Sequence, residues 1–350
     1  MSMEYKKKRL ILKLHRFIKR IIPHFLLEFK IGSSNSTQPI GCSGLDDSPI
    51  AGECEAQQIT VDLPVQSKED LTPLEVNPLD GGTKSTAPET RYFYIVDGDH
   101  SRRIAYTVSG DMHGSHVLLC LPGLLETKAA FQILHAYFLK FSGCKVISID
   151  LPGRGESDRI SKFEFYKMSL YLSDIRRFVE AIIVNDIGKP PKITVLGTSM
   201  GGVLAMYLTQ LFPKNITEIV LNDIALTVNW TSLYALYKSM KHELGYRETR
   251  QLAQELQVDI KTISDVQLPG HFDLSYRADI WGMNFHEALE GYKGKVALIY
   301  GADSEICTQR RVDDAMKVIP SLSTLKVNGA GHPAPFNLIV CEFIQSEMGV

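Results

Sequence analysis

The chain has 350 residues, 44 % hydrophobic and 22 % charged, and its 38 Lys+Arg against 40 Asp+Glu leave a formal net charge of −2. That length supports one large or two ordinary cores, and the near-neutral total argues against a general nucleic-acid binder, whose charge is conspicuously positive. The total hides three pieces: residues 1–30 hold nine Lys/Arg and two Glu (+7), residues 31–90 hold two Lys and ten Asp/Glu (−8), and residues 91–350 sum to −1.

Residues 1–30 read as a basic amphipathic helix. Leu10, Leu14, Phe17, Ile18, Ile21, Phe25 and Leu26 recur at helical spacing, with Lys6, Lys13, Arg16, Lys19 and Arg20 largely between them. The apolar stretches fall short of the ~20 residues that cross a bilayer, and the embedded cations fit a secretory signal poorly. Three roles compete: an anchor on an anionic membrane surface, a cleaved organellar presequence, and a helix docking on the globular domain or a partner. The expected location is therefore cytoplasmic and peripheral on the membrane, with an organelle as the alternative. Residues 31–90, rich in Ser, Gly, Pro, Asp and Glu, read as an acidic disordered linker, because so few apolar residues cannot offset the entropy of ordering.

From residue 91 onward, short β-branched runs alternate with helical patterns. Strands are predicted at Arg91–Val96, Arg103–Val108, His116–Leu121, Lys145–Ile149, Ile193–Leu196, Glu218–Leu221, Lys295–Tyr300 and Leu322–Val327, and helices at Thr127–Phe141, Met168–Val184, Gly201–Phe212 and Arg310–Val318. This is an α/β class: a mostly parallel eight-stranded sheet with helices on both faces. Residues 225–294 are too long for a simple crossover and read as a helical cap insertion. Its aromatics, Trp230, Tyr234, Tyr237, Tyr276, Trp281 and Phe285, either line a pocket or build the cap's own core. The six Cys show no C-x-x-C pair and no zinc-finger spacing, so no metal site or disulfide framework is expected, and a reducing compartment fits.

Ligand sites of open α/β sheets lie at the carboxyl ends of the strands, and the chemistry-bearing motifs lie there too. Gly197-Thr198-Ser199-Met200-Gly201 joins a predicted strand to a predicted helix. Gly-x-Ser-x-Gly alone is a weak signal, but in that context its glycines permit the sharp turn that exposes a nucleophilic Ser199. A Ser hydroxyl needs a base, and His332, after the last predicted strand, is the best of ten histidines. The chain order Ser, acid, His supports it. The acid is expected after the strand Lys295–Tyr300. Three residues past Gly301 stands Ser304, flanked by Asp303 and Glu305; Glu305 is preferred over Asp303, with Asp223 after the preceding strand as a third option. Backbone N–H groups of Met200 and Leu124, the latter in Leu121-Pro122-Gly123-Leu124, are the expected oxyanion donors, worth roughly 3 kcal/mol each to a transition state.

These residues resemble the α/β-hydrolase superfamily over most of residues 91–350. Asp150-Leu151-Pro152-Gly153-Arg154-Gly155-Glu156-Ser157 is similar to that family's Asp-x-x-Gly-x-Gly-x-Ser loop, and Val220-Leu221-Asn222-Asp223-Ile224 and the Gly331-His332-Pro333 segment are similar to a branch of bacterial-type hydrolases that commonly has Gly-x-x-Ser-Asp-Ile/Leu after the seventh strand. Pro122-Gly123 replaces the frequent His-Gly of the oxyanion loop. The resemblance puts the acid on Glu305, where the family more often has Asp. It implies a serine hydrolase acting on a carboxylic ester, lactone or related acyl substrate through an acyl-enzyme on Ser199, with no metal or organic cofactor. C–C bond hydrolysis and acyl transfer share that geometry. The alternative of another kind is a catalytically silent hydrolase fold that docks on a membrane or partner.

Overall fold

The computed structural model describes residues 58–62, 85–97, 100–160, 166–184, 190–229, 231–232, 272–278 and 282–350, all within the unit Ala56–Val350. Its centre is a nine-stranded sheet in the order β1-β12-β11-β7-β6-β4-β5-β3-β2, formed by β1 (Gln58–Asp62), β2 (Ser85–Asp97), β3 (His100–Asp111), β4 (His116–Leu121), β5 (Cys144–Ile149), β6 (Lys192–Thr198), β7 (Ile216–Asn222), β11 (Lys295–Gly301) and β12 (Ser323–Asn328). The seven strands from β1 to β5 in that order run parallel, and β3 and β2 add antiparallel at one edge.

All eight predicted strands are present. The interior ones, such as Val-Leu-Leu-Cys-Leu in β4, are nearly continuous apolar runs because a parallel sheet is covered on both faces. Among the described residues, five α-helices do the covering: α1 (Gln132–Phe138), α2 (Met168–Phe178), α3 (Met200–Leu211), α4 (Gln309–Val318) and α5 (Leu338–Met348). Leu134 and Phe138 of α1 and Val340 and Ile344 of α5 join Leu118, Val146, Leu196, Val220, Ile299 and Leu325 of the sheet in one buried cluster. Each such side chain contributes roughly 1.5–3 kcal/mol on burial. Helices α2 and α3 pack on each other, and α3 is buried along most of its length.

The sheet departs from the expected count by one strand. Gln58-Ile59-Thr60-Val61-Asp62 pairs in parallel with β12, Gln58 opposite Thr324 and Asp62 opposite Asn328. Residues 31–90 are therefore not linker throughout: 58–62 form β1, and 85–90 belong to β2. A five-residue β-branched run is lost when composition is averaged over sixty residues, and an open sheet edge supplies its backbone partners. The basic helix expected at residues 1–30 and the rest of the expected linker lie outside the described residues. Among the described residues no helix is long and apolar enough to cross a membrane.

Most of the expected helical cap, residues 225–294, lies outside the described residues; the described parts include a short 3-10 helix, His286–Leu289, and three short strands. There, β8 (Thr227–Asn229), β9 (Arg277–Ala278) and β10 (Gly282–Asn284) form a small antiparallel sheet in the order β8-β10-β9. Tyr276 and Phe285 pack with Phe272, ring centroids 5.6–6.4 Å apart, so these aromatics build a local core. Trp230, Tyr234, Tyr237 and Trp281 lie outside the described residues.

Candidate active site

The turn from β6 into α3 is tight because two glycines let it be. A Cβ on Gly197 would stand 2.3 Å from the Gly201 carbonyl, and one on Gly201 would stand 2.2 Å from Leu121 O; real Cβ atoms do not approach so closely. Between them Ser199 takes φ 49° and ψ −113°, a left-handed backbone that a non-glycine residue rarely adopts. The strain is held by Ser199 N–H, which donates to Asn222 O at the end of β7 (2.8 Å), and by Ser199 O, which accepts from Gly202 and Val203 N–H. The half-buried Ser199 side chain stands above the sheet.

His332 follows β12 and meets it. Ser199 Oγ lies 2.9 Å from His332 Nε2, and His332 Nδ1 lies 3.1 Å from Asp223 Oδ2. The carboxylate on the histidine is thus Asp223, at the end of β7. Neither Glu305, the preferred residue, nor Asp303 holds that place: both are exposed on the loop after β11, whereas Asp223 is fully buried. Asp223 also has a left-handed backbone, φ 60°, which Asp tolerates better than most residues. Its N–H donates to Ile299 O at 2.7 Å, so the chain turns across the end of β11 and aims the side chain at His332. Burial pushes the Asp223 carboxyl up; the bond to His332 and the nearby Ser304 hydroxyl and Gly301 N–H oppose that shift. The buried Ser304, at the position where an acid was expected, thus supports the acid that β7 provides.

Asn222 is a further member to which the sequence reading gives no role. Its carbonyl holds Ser199, and its Nδ2 donates to Ala334 O (3.0 Å) on the histidine loop. One residue therefore ties the two ends of the Ser–His pair together. An Asn-Asp pair closing a buried strand is the signal that could have pointed there.

Met200 N–H opens α3, and Leu124 N–H lies in the loop after β4; neither has a protein acceptor among the described residues. The loop abuts the elbow: a Cβ on Gly123 would stand 3.5 Å from Thr198 O. Arg154, almost fully buried, donates from Nε to Leu124 O (2.7 Å) and from one terminal nitrogen to Pro152 O and the Tyr171 hydroxyl. Asp150, which starts the same glycine-rich segment, accepts from Lys128 N–H and Nζ and from Glu156 N–H. That segment is a brace for the loop after β4. Glu126, also there, has a carboxyl that burial pushes up and that Gly123 N–H and the neighbouring His332 pull down. Among the described residues no group of three or more His, Cys, Asp or Glu could hold a metal ion.

A family model described as alpha/beta hydrolase fold matches residues 116–241. A 3-hydroxybutyrate-oligomer hydrolase of Cupriavidus necator is 22 % identical over 72 % of this chain and 94 % of its own. An sn-1-specific diacylglycerol lipase of Xenopus laevis is 25 % identical over 71 % and 86 %. Among solved structures, an alpha/beta hydrolase from Novosphingobium aromaticivorans superposes with a TM-score of 0.57 at 20 % identity, covering 75 % of this chain and 99 % of that one.

Proposed function

We propose that the chain, which has the α/β-hydrolase fold, is a serine hydrolase that cleaves a carboxylic ester, lactone or related acyl substrate through an acyl-enzyme on Ser199. The observation that carries this reading is the unbroken hydrogen-bonded series Ser199–His332–Asp223, at 2.9 and 3.1 Å, on a strained strand-to-helix turn. Its parts have distinct duties. His332 Nε2 takes the hydroxyl proton as Ser199 Oγ adds to the carbonyl carbon, and Met200 and Leu124 N–H groups receive the developing oxyanion. His332 then returns the proton to the leaving oxygen, and the C–O bond to it breaks. Water attacks the acyl-serine ester with His332 again taking the proton, the acid departs, and the serine hydroxyl is restored. Asp223, on Nδ1, keeps the imidazole in the productive tautomer and stabilises its cation.

The relatives named as an oligomer hydrolase and a diacylglycerol lipase favour ester cleavage over C–C bond cleavage. The direct test is labelling by a fluorophosphonate, whose phosphorus bonds to Ser199 Oγ as fluoride leaves. The wild type is expected to label and Ser199→Ala is not; a folded wild type that takes no label would support the silent alternative. For residues 1–30, the corresponding reading is attachment to an anionic membrane surface, and it fails if their deletion leaves partition onto anionic vesicles unchanged.

A further inference from the structure

The loop Gly123-Leu124-Leu125-Glu126 is fastened at three consecutive peptide groups. Gly123 N–H donates to Glu126 Oε2 at 2.7 Å, Gly123 O accepts from Glu126 N–H at 3.3 Å, and Leu124 O accepts from Arg154 Nε at 2.7 Å. A trans peptide is planar, with its C=O and N–H on opposite edges. The bond into Gly123 O therefore fixes the plane whose other edge is Leu124 N–H. Two of the three fastenings come from one residue.

We propose that Glu126 is a positioning residue of the hydrolytic site: its carboxylate holds Gly123 N–H, its main-chain N–H, which any residue at 126 keeps, holds Gly123 O, and the side-chain bond is what stops the Gly123–Leu124 peptide from shifting and so keeps Leu124 N–H in place as the second oxyanion donor. The proposal rests on the serine-hydrolase reading above. The bond from Gly123 N–H to a Glu126 carboxyl oxygen is short, 2.7 Å, and needs only an acceptor oxygen at that place. Glu126 packs closely on the loop, since a Cβ on Gly123 would stand 3.1 Å from Glu126 Oε2, and the same Cβ would be in ordinary contact, 3.5 Å, with Thr198 O beside Ser199.

Complete removal of one oxyanion donor costs about 10²–10³ in kcat; a donor left present but loosely held is expected to lose roughly 10- to 100-fold. The test compares full-length wild type, Glu126→Ala, Glu126→Asp and Glu126→Gln on a neutral short-chain p-nitrophenyl ester. It also compares their inhibition by an alkyl boronic acid, whose tetrahedral adduct with Ser199 presents an oxygen to the same donors. Glu126→Ala is expected to lower kcat by that factor with KM within about threefold, and to weaken boronic acid inhibition in parallel. Glu126→Asp, one methylene short, is expected to do the same and serves if the alanine variant does not fold. Glu126→Gln keeps an acceptor oxygen and is expected to stay within about fivefold. Ala or Asp variants with wild-type kcat and inhibition overturn the proposal, and so does a Gln variant as damaged as Ala, which would assign the effect to charge. If wild-type Ser199 takes no fluorophosphonate label, the serine-hydrolase reading falls and this proposal with it; labelled wild type with unimpaired Ala and Asp variants removes Glu126 alone.

Discussion

Strand β7 carries a buried carboxylate near each end, Glu218 close to its start and Asp223 one residue past its finish, and burial pushes both carboxyls up. At the finish, the histidine, the Ser304 hydroxyl and the Gly301 N–H work against that shift. At the start, the Thr194 hydroxyl at 3.2 Å and the Lys295 ammonium oppose it, but Glu347 adds a like charge and Glu218 is left at about 7. The same strand thus shows that burial of a carboxylate does not make a site. What separates the ends is a neighbour able to take up a proton, set against a nucleophile by a strained turn.

The comparison can be broken at either end. The largest expected effect is Ser199→Ala, which should cut ester turnover at least about 10⁴-fold without changing thermal stability by more than a few degrees. Glu218 should instead act on stability alone. Its folded pKa, about 7 against a usual 4.5, means that the folded state holds the proton more tightly. Stability therefore falls as pH rises from about 4.5 to 7 and stays at the lower level above. Glu218→Gln removes that penalty, worth on the order of 3 kcal/mol by linkage. In denaturant titrations the variant should exceed wild type at pH 8, match it near pH 4.5, and keep wild-type kcat/KM. A turnover loss in Glu218→Gln would show that the two ends are not independent. The smallest effect is expected from Asp303→Asn, an exposed loop charge, whose kcat/KM should stay within twofold.

The parallel strands were legible because burial on both faces writes itself as an apolar run: β4 was read at its observed bounds, His116–Leu121. Helix α5 was not, since Leu-Ile-Val-Cys-Glu-Phe-Ile is apolar on nearly all sides and shows no 3.6-residue stripe. Its ends do carry signals, Asn337 capping Val340 N–H and Gly349 in a left-handed conformation. Ser199 and His332 were legible from local motifs and chain order, and they meet. The acid was not, because its choice depends on which of two neighbouring loops bends toward His332. Asp303 and Glu305 are chemically suitable and face solvent, while Asp223 reaches the ring through a left-handed turn that pairwise spacing does not reveal. Glu126 acts through backbone groups of its neighbours, and such contacts leave no residue pattern to read, whereas Asn222 could have been found from the Asn-Asp pair that closes β7.

The central claim is that Asp223, and no carboxylate of the loop after β11, serves His332. Its most direct measurement is kcat/KM on one p-nitrophenyl ester for Asp223→Asn beside Glu305→Gln, with folding of both checked by circular dichroism. Asp223→Asn should lose about 10³- to 10⁴-fold by leaving the imidazole in the wrong tautomer, and Glu305→Gln should remain within twofold of wild type. A Glu305→Gln loss exceeding that of Asp223→Asn would contradict the account.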